Sequence, residues 1–308
     1  MLRHIPYLSR IRRPERWFPG TALATIVGAV SVAGIALVAD EQPVRVGAYG
    51  NIEAHPQINR SALDLFDSEK DAHEYLHRAS LSGEPTWGVA WDASDGIQPI
   101  LQNVAVKKKK TARQWIIDGG FSADEPEGPQ ALRHFYDPTD GTTPWLTDIV
   151  VSTVVRNPEI SLLDWVGDKD DPSLAQDYSW PDAKEYFRSA LADATPANEL
   201  YGKAWRGVGE TVHAIGDLAL PAHVRNDGHA KELGDPDPVE VSTTANMIES
   251  QASGEWAPLN YDQDVLKLMH DLAAWTNANF LSKDTVPLSG KPASANGKSA
   301  YASPTWAD

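Results

Sequence analysis

The chain has 308 residues, 42% of them hydrophobic and 23% charged, enough to build a packed core and too apolar for a disordered chain. Its formal net charge of −16 argues against a surface that holds nucleic acid by overall positive charge. It contains no cysteine, which excludes disulfides, thiolate metal sites and a cysteine nucleophile, and leaves imidazole and carboxylate as the ligands for a first-row metal.

Residues 21–39 form an uncharged apolar run, preceded by Arg3, Arg10, Arg12, Arg13 and Arg16. A basic segment before an apolar run of small residues reads as an export signal. The run is also long enough for a retained membrane anchor. Either way the positive charge before it predicts that everything after it lies outside the cell, secreted or periplasmic. Residues 1–39 carry five Arg and one Glu, so removing them takes the net charge from −16 to −20. The folded domain is expected over 40–286. The Gly-, Ala-, Ser- and Pro-rich stretch 287–308 reads as a flexible tail.

Within the domain, His55 stands just ahead of a predicted helix with Asn59 as N-cap and Ile58, Ala62, Leu65 and Phe66 on one face. A second helix is predicted over 69–81, where His73 and His77 lie four apart among Glu and Lys and read as a solvated face. Residues 82–95 look like a loop. Ile97–Ile117 reads as a helix interrupted by Lys107–Lys110, a solvated run with anionic lipid headgroups as the lesser alternative. The Gly- and acid-rich loop 118–128 contains Asp124 and leads to a short helix that ends at His134, stopped by Pro138 and Gly141. Further helices are predicted at 145–155, 181–194, 197–219, 239–250 and 263–280. Alternating segments joined by hairpin turns are not evident, so the expected fold class is all-α, a single multi-helix domain.

The stretch His213-Ala-Ile-Gly-Asp217-Leu-Ala-Leu-Pro-Ala-His223 carries the chemistry. A spacing of four puts His213 and Asp217 on one helix face, close enough to grip one ion. Pro221 turns the chain and delivers His223 from a new direction. His55, His134 and His229 also sit at helix ends or in loops, where ligands from different helices converge. The structural alternative is a helix with a surface His, a capping Asp and a loop His.

The pattern His213-xxx-Asp217-xxxxx-His223-xx-Asn226, with Gly216 and Pro221, resembles the signature of the zinc-dependent bacterial phospholipase C family, related to single-strand nucleases of the P1 and S1 type. Ala123-Asp124 followed by His134-Phe-Tyr-Asp-Pro resembles that family's other metal segment, and His55-xx-Ile-Asn-Arg-xx-Leu-Asp its N-terminal helix. The matches keep the family's order between about residues 50 and 245. The resemblance implies an all-α domain holding up to three zinc ions. Asp124, His134, His213 and Asp217 would hold the first. Asp217 would bridge to a second, bound also by His55 and by the mature N-terminus. His223, a further His and an acidic residue would hold the third, for which His229 and Glu240 are chosen, with Glu232 as the substitute. Asp124 would orient or deprotonate the attacking water, or serve purely as a ligand. Arg225 and Asn226 would brace ligands, contact phosphate, or lie in a solvent-exposed loop.

Two departures stand out. In the family the His and acid of the third site are four apart, whereas His229 is followed by Glu232 at three and Glu240 at eleven. No Trp stands at a mature N-terminus generated by cleavage in the 36–42 region. The activity implied is a metal-activated hydrolysis of phospholipid phosphodiesters at a membrane surface by a monomer with no nucleic-acid partner. The alternatives are a P1/S1-like nuclease or 3′-nucleotidase with the same metals, and a metal-binding surface module without catalysis.

Overall fold

A computed structural model of the chain describes residues 53–68, 85–92, 104–125, 130–146, 159–167, 176–192, 198–229, 237–243 and 263–286. The leader at 1–39, the His73/His77 helix, most of the 145–155 helix, Glu232, the second half of the 239–250 helix and the tail from 287 lie outside them. Among the described residues the architecture is mostly helical, and one two-stranded antiparallel sheet departs from the all-α expectation. In chain order the elements are α1 (Ala54–Ser68), β1 (Thr86–Asp92), β2 (Val104–Lys110), α2 (Ala112–Ser122), α3 (Leu162–Gly167), α4 (Trp180–Ala192), α5 (Asn198–Asp217), α6 (Pro221–Val224), α7 (Pro238–Ser242), α8 (Val265–Asn279) and a 3₁₀ turn at Lys283–Thr285. No helix among the described residues is long and apolar enough to cross a membrane.

Helix α5, about 30 Å long, is the axis of the molecule. It meets α2 backbone to backbone: a Cβ on Gly119 would stand 2.5 Å from the Gly209 backbone, and one on Gly209 only 2.3 Å from the Ile116 carbonyl. Asn59 ties a third helix to this crossing. Its Nδ2 donates to the Ile116 carbonyl at 2.7 Å and to the Gly209 carbonyl at 3.0 Å, with no solvent exposure. Asn59 is therefore an interior residue of α1 and not the expected N-cap, because the helix already begins at Ala54. Gly120 brings α1 closer still, since a Cβ there would meet the His55 carbonyl at 2.7 Å. Beyond the C-terminal end of α5, a second apolar cluster joins Leu162, Trp165 and Val166 of α3 to Leu218, Val224 and, on α8, Met269 and Ala273.

The β1–β2 hairpin occupies two segments expected to be loop and helix. In β1 the larger Trp87, Val89 and Trp91 alternate with Gly88 and Ala90, which are buried. This period of two favours a strand lying flat on helices. The small residue is required where the strand meets α2, because a Cβ on Gly88 would stand 2.5 Å from the Trp115 ring. In β2 the exposed Lys107 and Lys109 alternate with half-buried Lys108 and Lys110, so pairing with β1 overrides the helical preference of lysine. Thr111 then stops the strand and starts α2 through a reciprocal cap with Gln114. Helix α3 was not expected from the sequence either. Ser161 and Asp164 cap it in the same reciprocal way, with Ser161 Oγ donating to Asp164 Oδ2 at 2.9 Å and the Asp164 amide donating to Ser161 Oγ at 3.3 Å.

Candidate metal centre

Four segments deliver five of the expected ligands to one buried point. His55 comes from the first turn of α1, Asp124 from just beyond α2, and His213 and Asp217 from one face of α5. His134 follows a tight turn, in which the Arg133 and His134 amides donate to the Gln130 and Ala131 carbonyls. His134 Nδ1 lies 3.0 Å from Asp124 Oδ1 and 3.1 Å from Asp217 Oδ2. His213 Nε2 lies 3.2 Å from Asp217 Oδ2 and 3.5 Å from Asp124 Oδ2. Asp217 turns its other oxygen, Oδ1, to His55 Nε2 at 3.3 Å. One carboxylate thus faces two imidazoles with one oxygen and a third imidazole with the other. The His55 and His213 rings stack with centroids 3.7 Å apart.

A second gathering lies next to this one. His223 of α6 and His229 of the following loop point their Nε2 atoms at Glu240 Oε1, at 3.3 and 2.7 Å. Glu240 stands in the first turn of α7, where Asp237 caps the Val239 and Glu240 amides and Pro238 occupies the first helical position. Among the described residues, three groups could hold a metal ion: His55, His213 and Asp217; Asp124, His134 and His213; and His223, His229 and Glu240. Asp124, His134 and His213 of the expected first set form one group, and His55 and Asp217 of the expected second set form another together with His213, which was expected only in the first. For the third set, Glu240 is the acid in place beside His223 and His229.

The orientation of the rings is set by the main chain. His213 Nδ1 donates to the Gly120 carbonyl at 2.8 Å, His223 Nδ1 to the His134 carbonyl at 2.6 Å, and His229 Nδ1 to the Asp227 carbonyl at 2.7 Å. Each of these bonds directs Nε2 inward, the support that metal-binding imidazoles need from their surroundings. His134 is the exception: Nδ1 faces the cluster, and Nε2 is buried without a hydrogen-bond partner, with Trp165 edge-on to the ring.

The electrostatics show what this arrangement costs without an ion. Burial disfavours the charged form of every group, yet Asp124 and Asp217 are held below the ordinary carboxylate range by the imidazoles around them, His213 first. Burial also opposes the charging of His134, but Asp124 and Asp217 push it up to about 10. The opposite happens to His55, which burial and the neighbouring His213 lower to about 3. In the adjacent group Glu240 is lowered to about 2 against its burial by bonds from His223 and His229, and His229 is raised to about 9 against its burial by Glu240. Carboxylates and imidazoles packed this tightly, with ligand atoms converging, are a donor set for a hard or borderline dication.

Arg225 and Asn226 are both fully buried, which overturns the solvent-exposed-loop alternative for them. Arg225 has no exposed surface: Nη1 donates to Thr285 Oγ1 at 3.1 Å and Nη2 to the Asn277 carbonyl. It is a brace between the α6 turn and the end of α8. Asn226 is buried at a φ of 51°, the left-handed region that asparagine tolerates, and turns the chain toward His229. The sequence reading missed Phe135, which stacks on His223 at 4.6 Å and 10° and walls the second gathering. Its position directly after His134 was the available signal. Comparison with protein-family models, curated proteins and solved structures gives no match.

Proposed function

We propose that the chain is a zinc-dependent hydrolase that cleaves phosphodiester bonds of phospholipids, and that its resemblance to the zinc-dependent bacterial phospholipase C family reflects a shared metal centre. The observation that carries the reading is the convergence of His55, Asp124, His134, His213 and Asp217 from four distant segments, with His223, His229 and Glu240 gathered beside them. Zinc held there supplies Lewis-acid chemistry toward a phosphodiester and its attacking water.

The residues divide the remaining work. Asp217, 2% exposed, faces three imidazoles and serves as the shared ligand. Asp124 is the more open carboxylate, at 12% of its side chain, and the imidazoles beside it hold it charged, which suits it to accept a hydrogen bond from water and orient it. Gly120, His134 and Asp227 hold the rings through their carbonyls. Purified chain reconstituted with zinc is assayed against phosphatidylcholine, other phospholipids and single-stranded DNA, with Asp217→Asn as the blank. Lipid hydrolysis above DNA cleavage, abolished in the variant, supports the reading. Equal or greater DNA cleavage moves the assignment to the nuclease branch, and no hydrolysis of either leaves a metal-binding module.

A further inference from the structure

The outer face of the β1–β2 hairpin has a composition opposite to that of the whole chain. In register, Trp87 faces Lys109 and Val89 faces Lys107, so these four side chains share one face of the ribbon. Trp87 is 39% exposed and Lys107 58%. Both lysines stand over the Trp87 ring, with Nζ 5.8 and 5.2 Å from its centroid. The patch continues onto α5. Glu199 accepts a hydrogen bond from Lys107 and is further held in its charged form by Lys203, whose own ammonium lies over Tyr186 at 5.1 Å. An acidic protein of net charge −16 thus sets two lysines around one exposed tryptophan on a small ribbon, one of the lysines also paired with Glu199.

We propose that this face docks the protein on anionic phospholipid bilayers. Tryptophan with lysines beside it is the pairing that the headgroup region favours: the ring lies at the water boundary while long lysine stems stay apolar below their charged ends. Charge complementarity supplies the rest, about fivefold in affinity for each lysine near the surface. A polynucleotide fits less well. Its bases need open aromatic faces to stack on, and the Trp87 ring already carries two ammoniums. The hairpin is fixed on the N-terminal half of α5, where a Cβ on Gly202 would meet the Trp87 carbonyl at 2.2 Å and Arg206 Nη1 donates to the Val89 carbonyl at 2.7 Å. His213 lies about 16 Å further along the same helix, so docking residues and metal ligands are separate sets on one rigid element. The proposal rests on the phospholipid reading for its purpose, but its measurement does not.

The test compares co-sedimentation of the full chain with vesicles of phosphatidylcholine alone and with phosphatidylserine mixed in, at low ionic strength. Whatever residues 21–39 contribute is common to all variants. The Lys107→Gln/Lys109→Gln double variant is expected to lose roughly tenfold or more of its partition onto the anionic vesicles, and Trp87→Ala to lose partition onto both kinds. Lys267→Gln, on α8 away from the hairpin, is expected to change nothing. Equal partition of wild type and double variant overturns the proposal, as does displacement of the bound protein by single-stranded DNA at lower concentration than by added anionic lipid. Hydrolysis of a soluble short-chain phospholipid, measured in parallel, separates the two readings. A docking difference without any hydrolysis leaves docking standing and the hydrolase reading fallen, and hydrolysis without a docking difference does the reverse.

Discussion

The main-chain carbonyl of His134 accepts a hydrogen bond from Nδ1 of His223 at 2.6 Å, while the imidazole of His134 stands between Asp124 and Asp217. One residue therefore belongs to one ligand group by its side chain and orients a ring of the next by its backbone. The Tyr136 amide donates back to the His223 carbonyl at 2.9 Å, and the Leu162 amide to the Phe135 carbonyl at 3.0 Å, so the strap 134–136 is pinned on both sides. The ligand groups are joined through this one strap.

Asp217→Asn is the variant expected to lose most metal. Both carboxylate oxygens are engaged, Oδ1 toward His55 and Oδ2 toward His134 and His213. The amide keeps the shape but offers one oxygen, no charge and a donor that faces an imidazole or an ion wrongly. Elemental analysis should show the two groups that share His213 emptied of zinc, while His223, His229 and Glu240 retain theirs. Undiminished zinc in the folded variant would remove Asp217 from the centre.

The pH dependence of stability is expected to change sign when metal is removed. In metal-free protein His229 is raised to about 9 and His134 to about 10, so the stability they contribute is complete below 6.5 and is lost as pH rises through those values. For His229 the span from 6.5 to about 9 corresponds to roughly 3 kcal/mol at most. Glu240, lowered to about 2, contributes above 4.5 and loses its contribution as pH falls toward 2. His55, lowered to about 3, likewise favours the fold above 6.5 and opposes it below. Chelator-treated protein should thus lose Tm between pH 6.5 and 9. Zinc-loaded protein should hold or gain Tm over the same range, because ligands must shed protons to bind the ion. Parallel melting curves that fall together would contradict metal binding by these residues.

Arg225 separates a structural from a substrate-contact role. Its guanidinium is buried against Thr285 and the Asn277 carbonyl, and Asn277 Nδ2 donates in turn to the Val224 carbonyl at 2.5 Å. Removing it in Arg225→Ala strands these buried acceptors and opens a void, at a cost of about 2–4 kcal/mol. The melting temperature should drop while KM for lipid in the folded fraction stays the same. A raised KM at unchanged stability would restore a phosphate contact.

The grouping of the candidate ligands was legible because their identity and spacing are local: His213 and Asp217 share a helix face by period alone, and Pro221 forces the turn that presents His223. The choice of Glu240 likewise followed from Asp237 and Pro238, which together announce a helix start. What escaped were features whose signal is tertiary. The four lysines of β2 have helical propensity and become a strand only by pairing with Trp87 and its neighbours. Asn59 looked like a cap, and its true partners, the carbonyls of Ile116 and Gly209, are 57 and 150 residues away. Arg225 looked available for phosphate because nothing in its neighbourhood announces that Thr285 and Asn277 will cover it. The cap at Ser161 and Asp164 was readable, but the helix it begins has only six residues, too short for a periodic pattern.

Glu240 is the most exposed to refutation, because it sits eleven residues from His229, where a single helix turn would place a ligand four away. The distance is bridged by Asp237, whose Oδ1 accepts from the Val239 amide at 2.8 Å and the Glu240 amide at 3.2 Å and so fixes where the first turn of α7 points its carboxylate. That carboxylate meets His229 Nε2 at 2.7 Å and His223 Nε2 at 3.3 Å. Glu240→Gln should empty this group of zinc and remove most of the activity, while Glu232→Gln should leave both unchanged. A second reading follows from the metal-free protein. With the carboxylate gone, the His229 titration observed by NMR should fall from about 9 toward its ordinary 6.5, because Glu240 leads the interactions that hold it up against burial. Retained zinc together with an unmoved His229 would detach Glu240 from the centre, and loss of zinc in Glu232→Gln instead would transfer the role to that residue.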